Sequence, residues 1–336
     1  MRAVLVGLGA VGARSARQLL SSKSITELVV MSRRPLAAEA RVAALGAVGA
    51  VQLEQLSEAT LSQALGGASV VLLTAPGPSV SQARAGVQAR VPVVSVSDDP
   101  SDVRCLLQLN AEAERAGVPV VVGAGMVPGL SCLLAAWAAS LLDEVSEVHV
   151  ASLGTGGAAC AKRHRAALRE AVEEWRDGAW ARKVAGSGRE LVYFPDYAGV
   201  DCYRVNRPDP VLLVRAFPGL RSATTRAAAS RRDHFASWLP RLPQPHAEGT
   251  AGALRVELRG WSAGGADTTV VGASGRPALL AGAVAAVAAL RAASGQLRPG
   301  AGGLASLVAS PGEFLAELSE RGVRLLAFEG AQITPG

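Results

Sequence analysis

The chain has 336 residues, of which 49% are hydrophobic and 18% charged, an ordinary balance for a packed protein large enough for two domains. Its net charge of +6 comes from scattered arginines, with lysine only at Lys23, Lys162 and Lys183, and aromatics make up only 4%. A nucleic-acid-binding protein concentrates its basic residues in a stripe, so no nucleic-acid partner is expected. The longest apolar run, Ala278–Leu290, is too short to span a bilayer and is bracketed by Arg276 and Arg291, which excludes a membrane helix.

In chain order, short apolar runs alternate with helix-like stretches over the first 125 or so residues. Strands are expected at Ala3–Val6, Glu27–Met31, Val48–Leu53, Ser69–Thr74, Pro92–Ser97 and Pro119–Val122, with helices at Ala13–Leu20, Leu61–Leu65, Ser79–Gln88 and Asp102–Ala116. Six parallel strands with right-handed crossovers make an α/β, doubly wound Rossmann sheet. After Gly129 the rhythm changes. An apolar helix (Leu130–Leu142), a strand (Ser146–Leu153) and the loop Gly154-Thr155-Gly156-Gly157 precede a charged helix, about Lys162–Asp177. Strands at Glu190–Phe194 and Val211–Phe217, a helix around Thr225–Trp238 and a hairpin of Ala253–Trp261 with Thr268–Ala273 follow. Helices at Pro277–Arg291 and Gly312–Phe328 close the chain, with Ser294–Gly303 as a linker. The expected organisation is a Rossmann domain over 1–128, an α+β domain with a mixed or antiparallel sheet over 129–275, and helices over 276–336 that pack back on the first domain.

Gly7-Leu8-Gly9-Ala10-Val11-Gly12 matches G-x-G-x-x-G, a weak signal in a chain with 37 glycines. Its position after an apolar strand and at the start of a helix makes it a dinucleotide loop. Gly7 allows the tight turn, Gly9 the approach of backbone to pyrophosphate, and Gly12 the packing of helix on strand. The second strand leads into Ser32-Arg33-Arg34, where enzymes using NAD usually place an acid for the ribose 2′-hydroxyl. Two guanidiniums suit a 2′-phosphate, so NADP(H) is the expected cofactor. Three further loops follow strand ends, where open α/β sheets bind ligands: Thr74-Ala75-Pro76-Gly77-Pro78, Ser97-Asp98-Asp99-Pro100 and Gly123-Ala124-Gly125-Met126-Val127-Pro128-Gly129. Thr74, Ala75, Pro76, Gly77, Ser97, Gly125 and Met126 are therefore expected in the cofactor crevice.

The glycine loop, the Ser-Arg-Arg strand end, the Thr-Ala-Pro-Gly-Pro loop, the Asp-bearing fifth strand end and Gly-Ala-Gly-Met-Val-Pro-Gly-Leu-Ser together resemble the saccharopine dehydrogenase-like reductases. The resemblance is good over residues 1–140 and architectural beyond. It implies a Rossmann domain followed by an α+β substrate domain, a nicotinamide cofactor, often NADP(H), and redox chemistry at a C–N bond of an amino-acid adduct. It also implies a homodimer formed through the second domain. The short substrate domain departs from the family, and its polar residues match no single substrate site.

Imine reduction asks for orientation, a proton source and anchors for substrate carboxylates. Asp98 has two readings, a catalytic acid or a helix cap; for Asp99 the cap is preferred. His164, in Lys162-Arg163-His164-Arg165, reads either as a cleft residue or as part of an exposed basic turn; His149 reads as structural, and His234 and His246 carry no motif. The three tyrosines, Tyr193, Tyr197 and Tyr203, fall in one polar-aromatic segment that is either a ligand loop or a packed strand pair. From these, Asp98, His164 and Tyr203 are the catalytic candidates, and Arg163, Tyr197, Arg204 and Arg215 the substrate-binding ones. The spacing of Cys105, Cys132, Cys160 and Cys202 suggests neither a metal site nor a redox motif, and no metal is expected. The expected function is a cytoplasmic NAD(P)H-dependent reductase of a small amino-acid-derived imine. The alternatives are a non-catalytic nucleotide-binding protein and a redox-neutral enzyme of the same fold.

Overall fold

The computed structural model describes residues 1–47, 49–229 and 248–328. The first half runs β1 (Arg2–Val6), α1 (Ala10–Ser21), β2 (Glu27–Ser32), α2 (Pro35–Ala43), β3 (Val51–Gln55), α3 (Glu58–Leu65), β4 (Val70–Leu73), α4 (Val80–Gln88), β5 (Val93–Ser95), α5 (Pro100–Leu107), α6 (Asn110–Ala116), β6 (Pro119–Val122) and α7 (Leu130–Ala139). The second half continues β7 (Glu144–Leu153), α8 (Ala158–Ala167), β8 (Val172–Arg176), β9 (Ala179–Lys183), β10 (Glu190–Tyr193), β11 (Gly199–Arg204), α9 (Asp209–Ala216), β12 (Ser222–Ala228), β13 (Gly252–Ser262), β14 (Gly265–Gly275), α10 (Pro277–Ala293), β15 (Gly300–Gly302), α11 (Leu304–Leu307), α12 (Pro311–Glu320) and β16 (Arg324–Phe328).

The first sheet is parallel throughout, in the order β15-β6-β5-β4-β1-β2-β3. Its central strands, Ala-Val-Leu-Val in β1 and Val-Val-Leu-Leu in β4, are buried along their whole length, as a sheet covered on both faces requires. The second sheet is mixed. Its path is β10-β11-β12-β7-β13-β14-β16, with β7 and β12 parallel and the hairpin β8–β9 attached to β12. Alternation splits β7 and β13 into an inner face of Val148, Val150, Leu254, Val256 and Leu258 and an outer face of Glu147, His149, Arg255, Glu257 and Arg259. The inner face packs on α7 and the outer one carries the charge.

Several segments depart from the periodicity of the sequence. The linker-like Ser294–Gly303 contributes β15, a seventh strand held by backbone bonds to β6 and by Asn110 Oδ1, which accepts from Ala301 N–H at 2.8 Å. A Gly-Ala-Gly strand has no apolar pattern to reveal it. Val211–Phe217 is helical, not extended; Pro208 and Pro210 set its start, and Leu212 and Leu213 bury one helical face. Thr225–Trp238 does not begin as a helix, because Thr224 and Thr225 are buried in β12 between β7 and β11; residues 230–238, with His234, and His246 lie outside the described residues. The charged helix stops at Ala167, and Val172–Arg176 pairs as β8. The stretch 102–116 divides into α5 and α6, and α12 gives way to β16 just after Gly322 (φ +84°). The third strand is Val51–Gln55, and the expected start at Val48 lies outside the described residues.

Helix α10 is apolar on every side because every side is covered: it lies along α1, crosses β4 and β5, and carries α12. Gly282 permits this, since a Cβ there would stand 2.4 Å from Arg14 Cβ. Among the described residues no helix is long and apolar enough to cross a membrane.

Candidate functional site

The turn between β1 and α1 is shaped by contacts that only glycine tolerates. Gly7 has φ +96°, and a Cβ on it would meet the Ala75 backbone N at 2.7 Å. A Cβ on Gly12 would stand 2.3 Å from the Gly7 carbonyl O. Thr74 ties the turn down: its hydroxyl donates to the Gly7 carbonyl at 2.7 Å. Gly9, the N-cap of α1, differs from both, because a Cβ there would meet nothing within 4 Å. The helix start at Ala10 and Val11 has no side-chain cap and no acid in its first turn. Open space in front of uncapped N–H groups fits a dinucleotide diphosphate.

At the end of β2, Ser32 Oγ accepts from the Arg34 N–H at 3.1 Å and shapes the turn into α2. Arg33 and Arg34 are exposed; Arg33 Nη2 reaches the Pro76 carbonyl at 3.4 Å. A third guanidinium, which motif reading missed, joins them: Arg41 of α2 donates to the Leu8 carbonyl at 2.9 Å. No pattern flags Arg41, since its helix had to be folded back on the loop before the contact existed.

Between the two sheets lies a cleft of about 430 Å³. One wall is made of strand-end loops, including Thr74–Gly77, Ser97, Asp98, Gly125 and Met126, together with Val11. The other comes from the second half of the chain: Ser152 on the inner face of β7, Gly154–Gly156, Cys160, Arg163 and Arg207. The loop after β6 is folded tightly, with Gly125 N–H donating to Pro128 O at 2.9 Å and Leu130 N–H to Gly125 O at 2.9 Å. Gly129 (φ +127°) has no room for a Cβ, which would stand 2.3 Å from Gly125 O.

Carboxylates and guanidiniums face one another across this cleft. Asp99 is the N-cap of α5, accepting from Ser101 N–H at 2.9 Å and Asp102 N–H at 3.2 Å. Asp98 is ion-paired and hydrogen-bonded to Arg207. Arg163 makes a two-pronged contact with Glu170, both arms 2.6 Å, and lies 3.7 Å from Asp99. Hydrogen bonds from Arg163 hold the Glu170 carboxyl below its ordinary range. Asp102 is buried and accepts from both the N–H and the hydroxyl of Ser79, each at 2.8 Å. Burial, then the nearby Asp98 carboxylate, pushes the Cys160 thiol up to about 11, so it is not a thiolate at neutral pH. Beneath the floor, Asp209 is fully buried and accepts from Ser131 Oγ at 2.5 Å; burial pushes its carboxyl up to about 6.

The structure thus brings Val11, Thr74, Ala75, Pro76, Gly77, Ser97, Asp98, Gly125, Met126 and Arg163 to one cleft. Five of the catalytic and substrate-binding candidates lie elsewhere. Tyr203 packs against Ala167, Leu168, Val205 and Ala227. Arg204 is bound at 3.2 Å to Glu174, a fully buried carboxylate that Arg176 also holds at 2.9 Å. Tyr197 packs on the outer face of the second sheet, with Ala151 and Phe194, opposite the face that carries Ser152. Arg215 is exposed in the last turn of α9. His164 is buried in α8 and is not a lining residue. Arg207 and Cys160 do line the cleft, though neither belongs to a recognisable motif. Among the described residues no cluster of three metal ligands occurs.

No protein-family model matches the chain, and no curated relative matches it. Solved structures do. Apo saccharopine dehydrogenase (L-Glu forming) from Saccharomyces cerevisiae superposes with a TM-score of 0.68 at 14% identity, over 97% of this chain and 99% of that one. An engineered D-amino acid dehydrogenase bound to NADP+ gives 0.52 at 16% identity, over 95% of each chain. C. glutamicum DAP dehydrogenase in complex with DAP gives 0.50 at 19% identity, over 96% of this chain and 98% of that one. The resemblance carried by the first 140 residues therefore extends along the chain at the level of architecture: this protein has the fold of saccharopine dehydrogenase and related dinucleotide-binding dehydrogenases.

Proposed function

We propose that the protein is an NADP(H)-dependent oxidoreductase acting on a C–N bond, an imine or amine, of a small amino-acid-derived substrate. Dehydrogenases are its structural neighbours, which supports the oxidoreductase class and a nicotinamide dinucleotide. Gly7, Gly9 and Gly12 with the start of α1 would hold the diphosphate, and Arg33 and Arg34 the 2′-phosphate. When bound, the nicotinamide gives or takes the hydride.

The observation that carries the C–N reading is the ionisable content of the cleft. Its lining includes three carboxylates, Asp98, Asp99 and Asp102, and two guanidiniums, Arg163 and Arg207, while the described lining residues include no His, Lys or Tyr. Hydride transfer at a C–O bond needs a group to move the hydroxyl proton, for which enzymes commonly use His, Lys or Tyr. An iminium already carries its proton, and it is a cation that Asp98 and Asp99 would stabilise electrostatically. Arg163 and Arg207 supply donors for a carboxylate, so the lining complements a molecule bearing both charges.

Purified protein with NADPH should consume the reduced cofactor with mixtures of small 2-oxoacids and amines. It should not reduce NADP+ with 2-hydroxyacids or sugars. Turnover of a hydroxyacid or sugar with no amine present would overturn the C–N assignment.

A further inference from the structure

The second sheet carries a cavity of its own, on the face turned away from the cleft. The hairpin β10–β11 curls back over this outer face: Val192 and Phe194 pack on Ala151 and Ala253, and Pro195 lies against Gly272 of β14. Beneath the hairpin is a trough of about 450 Å³, as large as the cleft between the sheets, and the two share no lining residue. Leu191 and Tyr193 of β10 form one wall, and His149, Ala151 and Thr224 the floor.

Sheet register sets guanidiniums around that floor. Arg226 of β12 and Arg255 of β13 both stand level with Ala151 of β7. Their Cα atoms are therefore about 10 Å apart, with only a methyl group between the two side chains. Arg259 follows on the same face of β13, and Arg176 of β8 also lines the trough. Against these four guanidiniums the described lining sets two carboxylates, Glu190 and Glu257.

The carboxylates are shared. Glu257 lies 2.6 Å from Arg255 and 2.7 Å from Arg259, and the buried Glu174 serves both Arg176 and Arg204. With Arg204, Glu147 and Glu174 included, five guanidiniums still meet four carboxylates. Donors are in surplus too. Arg176 spends Nε on Glu174, and Arg226 spends Nε on Glu190 and Nη1 on the Gly188 carbonyl. Both Nη groups of Arg176 and Nη2 of Arg226 have no hydrogen-bond partner among the described residues, and none of the three is occluded.

We propose that this trough is a second ligand site, for a small phosphorylated metabolite, either a phosphate monoester or a diphosphate. A planar carboxylate is satisfied by one guanidinium fork, whereas a phosphoryl group carries more charge and offers oxygens in several directions. Arginines arriving from β8, β12 and β13 suit the phosphoryl group. The site is independent of the reading of the cleft.

Isothermal titration with inorganic pyrophosphate, inorganic phosphate and acetate tests the proposal. The Arg33→Ala, Arg34→Ala protein, with saturating NADPH, serves as background, so that phosphate contacts in the cleft are weakened or filled. Pyrophosphate and phosphate should each bind about tenfold or more tightly than acetate. Arg226→Gln and Arg259→Gln should each weaken pyrophosphate about tenfold. Glu190→Gln removes a lining carboxylate and should strengthen it about threefold. The Glu190 and Arg259 side chains are each 55% exposed, so neither substitution endangers the fold. Light scattering should give one oligomeric state for all of these proteins. Acetate binding as tight as pyrophosphate, or a pyrophosphate affinity that none of the three substitutions moves, would overturn the site. So would a loss of affinity that comes only with splitting of an oligomer, which would assign this face to a second copy of the chain.

Discussion

The hydroxyl of Thr74, at the end of β4, donates to the carbonyl of Gly7, at the end of the neighbouring β1, at 2.7 Å. A residue that lines the cleft thus fixes the geometry of the Gly7–Gly12 turn. Thr74→Val keeps the shape and removes the donor. It should cost on the order of 1 kcal/mol of stability and weaken NADPH and NADH by similar factors. Titration of both cofactors checks this; a change in their ratio would mean that Thr74 reads the ribose instead.

Arg33 and Arg34 should set that ratio. The parent is expected to prefer NADPH by about tenfold or more, a gap of about 1.4 kcal/mol. The double variant Arg33→Ala, Arg34→Ala should erase most of it. Arg41→Ala, which releases the Leu8 carbonyl, should instead weaken both cofactors together. Competitive binding measurements on the three proteins separate the two effects.

Asp209 makes stability depend on pH in an unusual direction for a carboxylate. Its carboxyl is raised from 3.8 to about 6 by burial, so the folded protein holds a proton that the unfolded chain gives up earlier. The stabilisation is complete below about pH 4 and is lost as pH rises through about 6, a swing of about 3 kcal/mol. Asp209→Asn should flatten this part of the curve, read from denaturant midpoints between pH about 4 and about 7. An unchanged slope would assign the dependence to other groups.

Gly282 of α10 faces Arg14 and Ser15 of α1 with no room for a Cβ. Gly282→Ala places a methyl group 2.4 Å from Arg14 Cβ and 3.1 Å from Ser15 N. The helices must part, with an expected loss of about 1–3 kcal/mol. Because α1 follows directly on the Gly7–Gly12 turn proposed to hold the diphosphate, cofactor affinity should fall with stability. Thermal melts with and without NADPH report both; a variant as stable as the parent would show that the contact yields easily.

What was legible in the sequence was whatever local chemistry determines. The buried strands β1, β2, β4 and β6 announce themselves as apolar runs, and Gly7, Gly9 and Gly12 mark their turn by spacing. Asp99 reads as a cap because capping is a matter of two or three neighbouring residues. Features made by chain folding were hidden. Val211–Phe217 has an apolar run that fits a strand or a helix equally well, and only packing beneath the cleft selects the helix. Tyr197, Tyr203 and Arg204 carry the residue types of a ligand loop, yet their partners lie on the far side of the sheet or in a buried ion pair. Arg207 gained its place in the cleft through Asp98, a residue 109 positions away.

The seventh strand of the first sheet, Gly300–Gly302, and the helix that covers α1, Pro277–Ala293, are supplied by the chain only after the entire second sheet up to β14. During synthesis the parallel-sheet half must therefore wait, with one edge of its sheet unpaired and the apolar flank of α1 uncovered, until most of the polypeptide has left the ribosome. Its closing contacts span nearly the full sequence, which points to late, slow consolidation. A gene fragment ending after β6 should accordingly yield an aggregation-prone product, not a small autonomous domain.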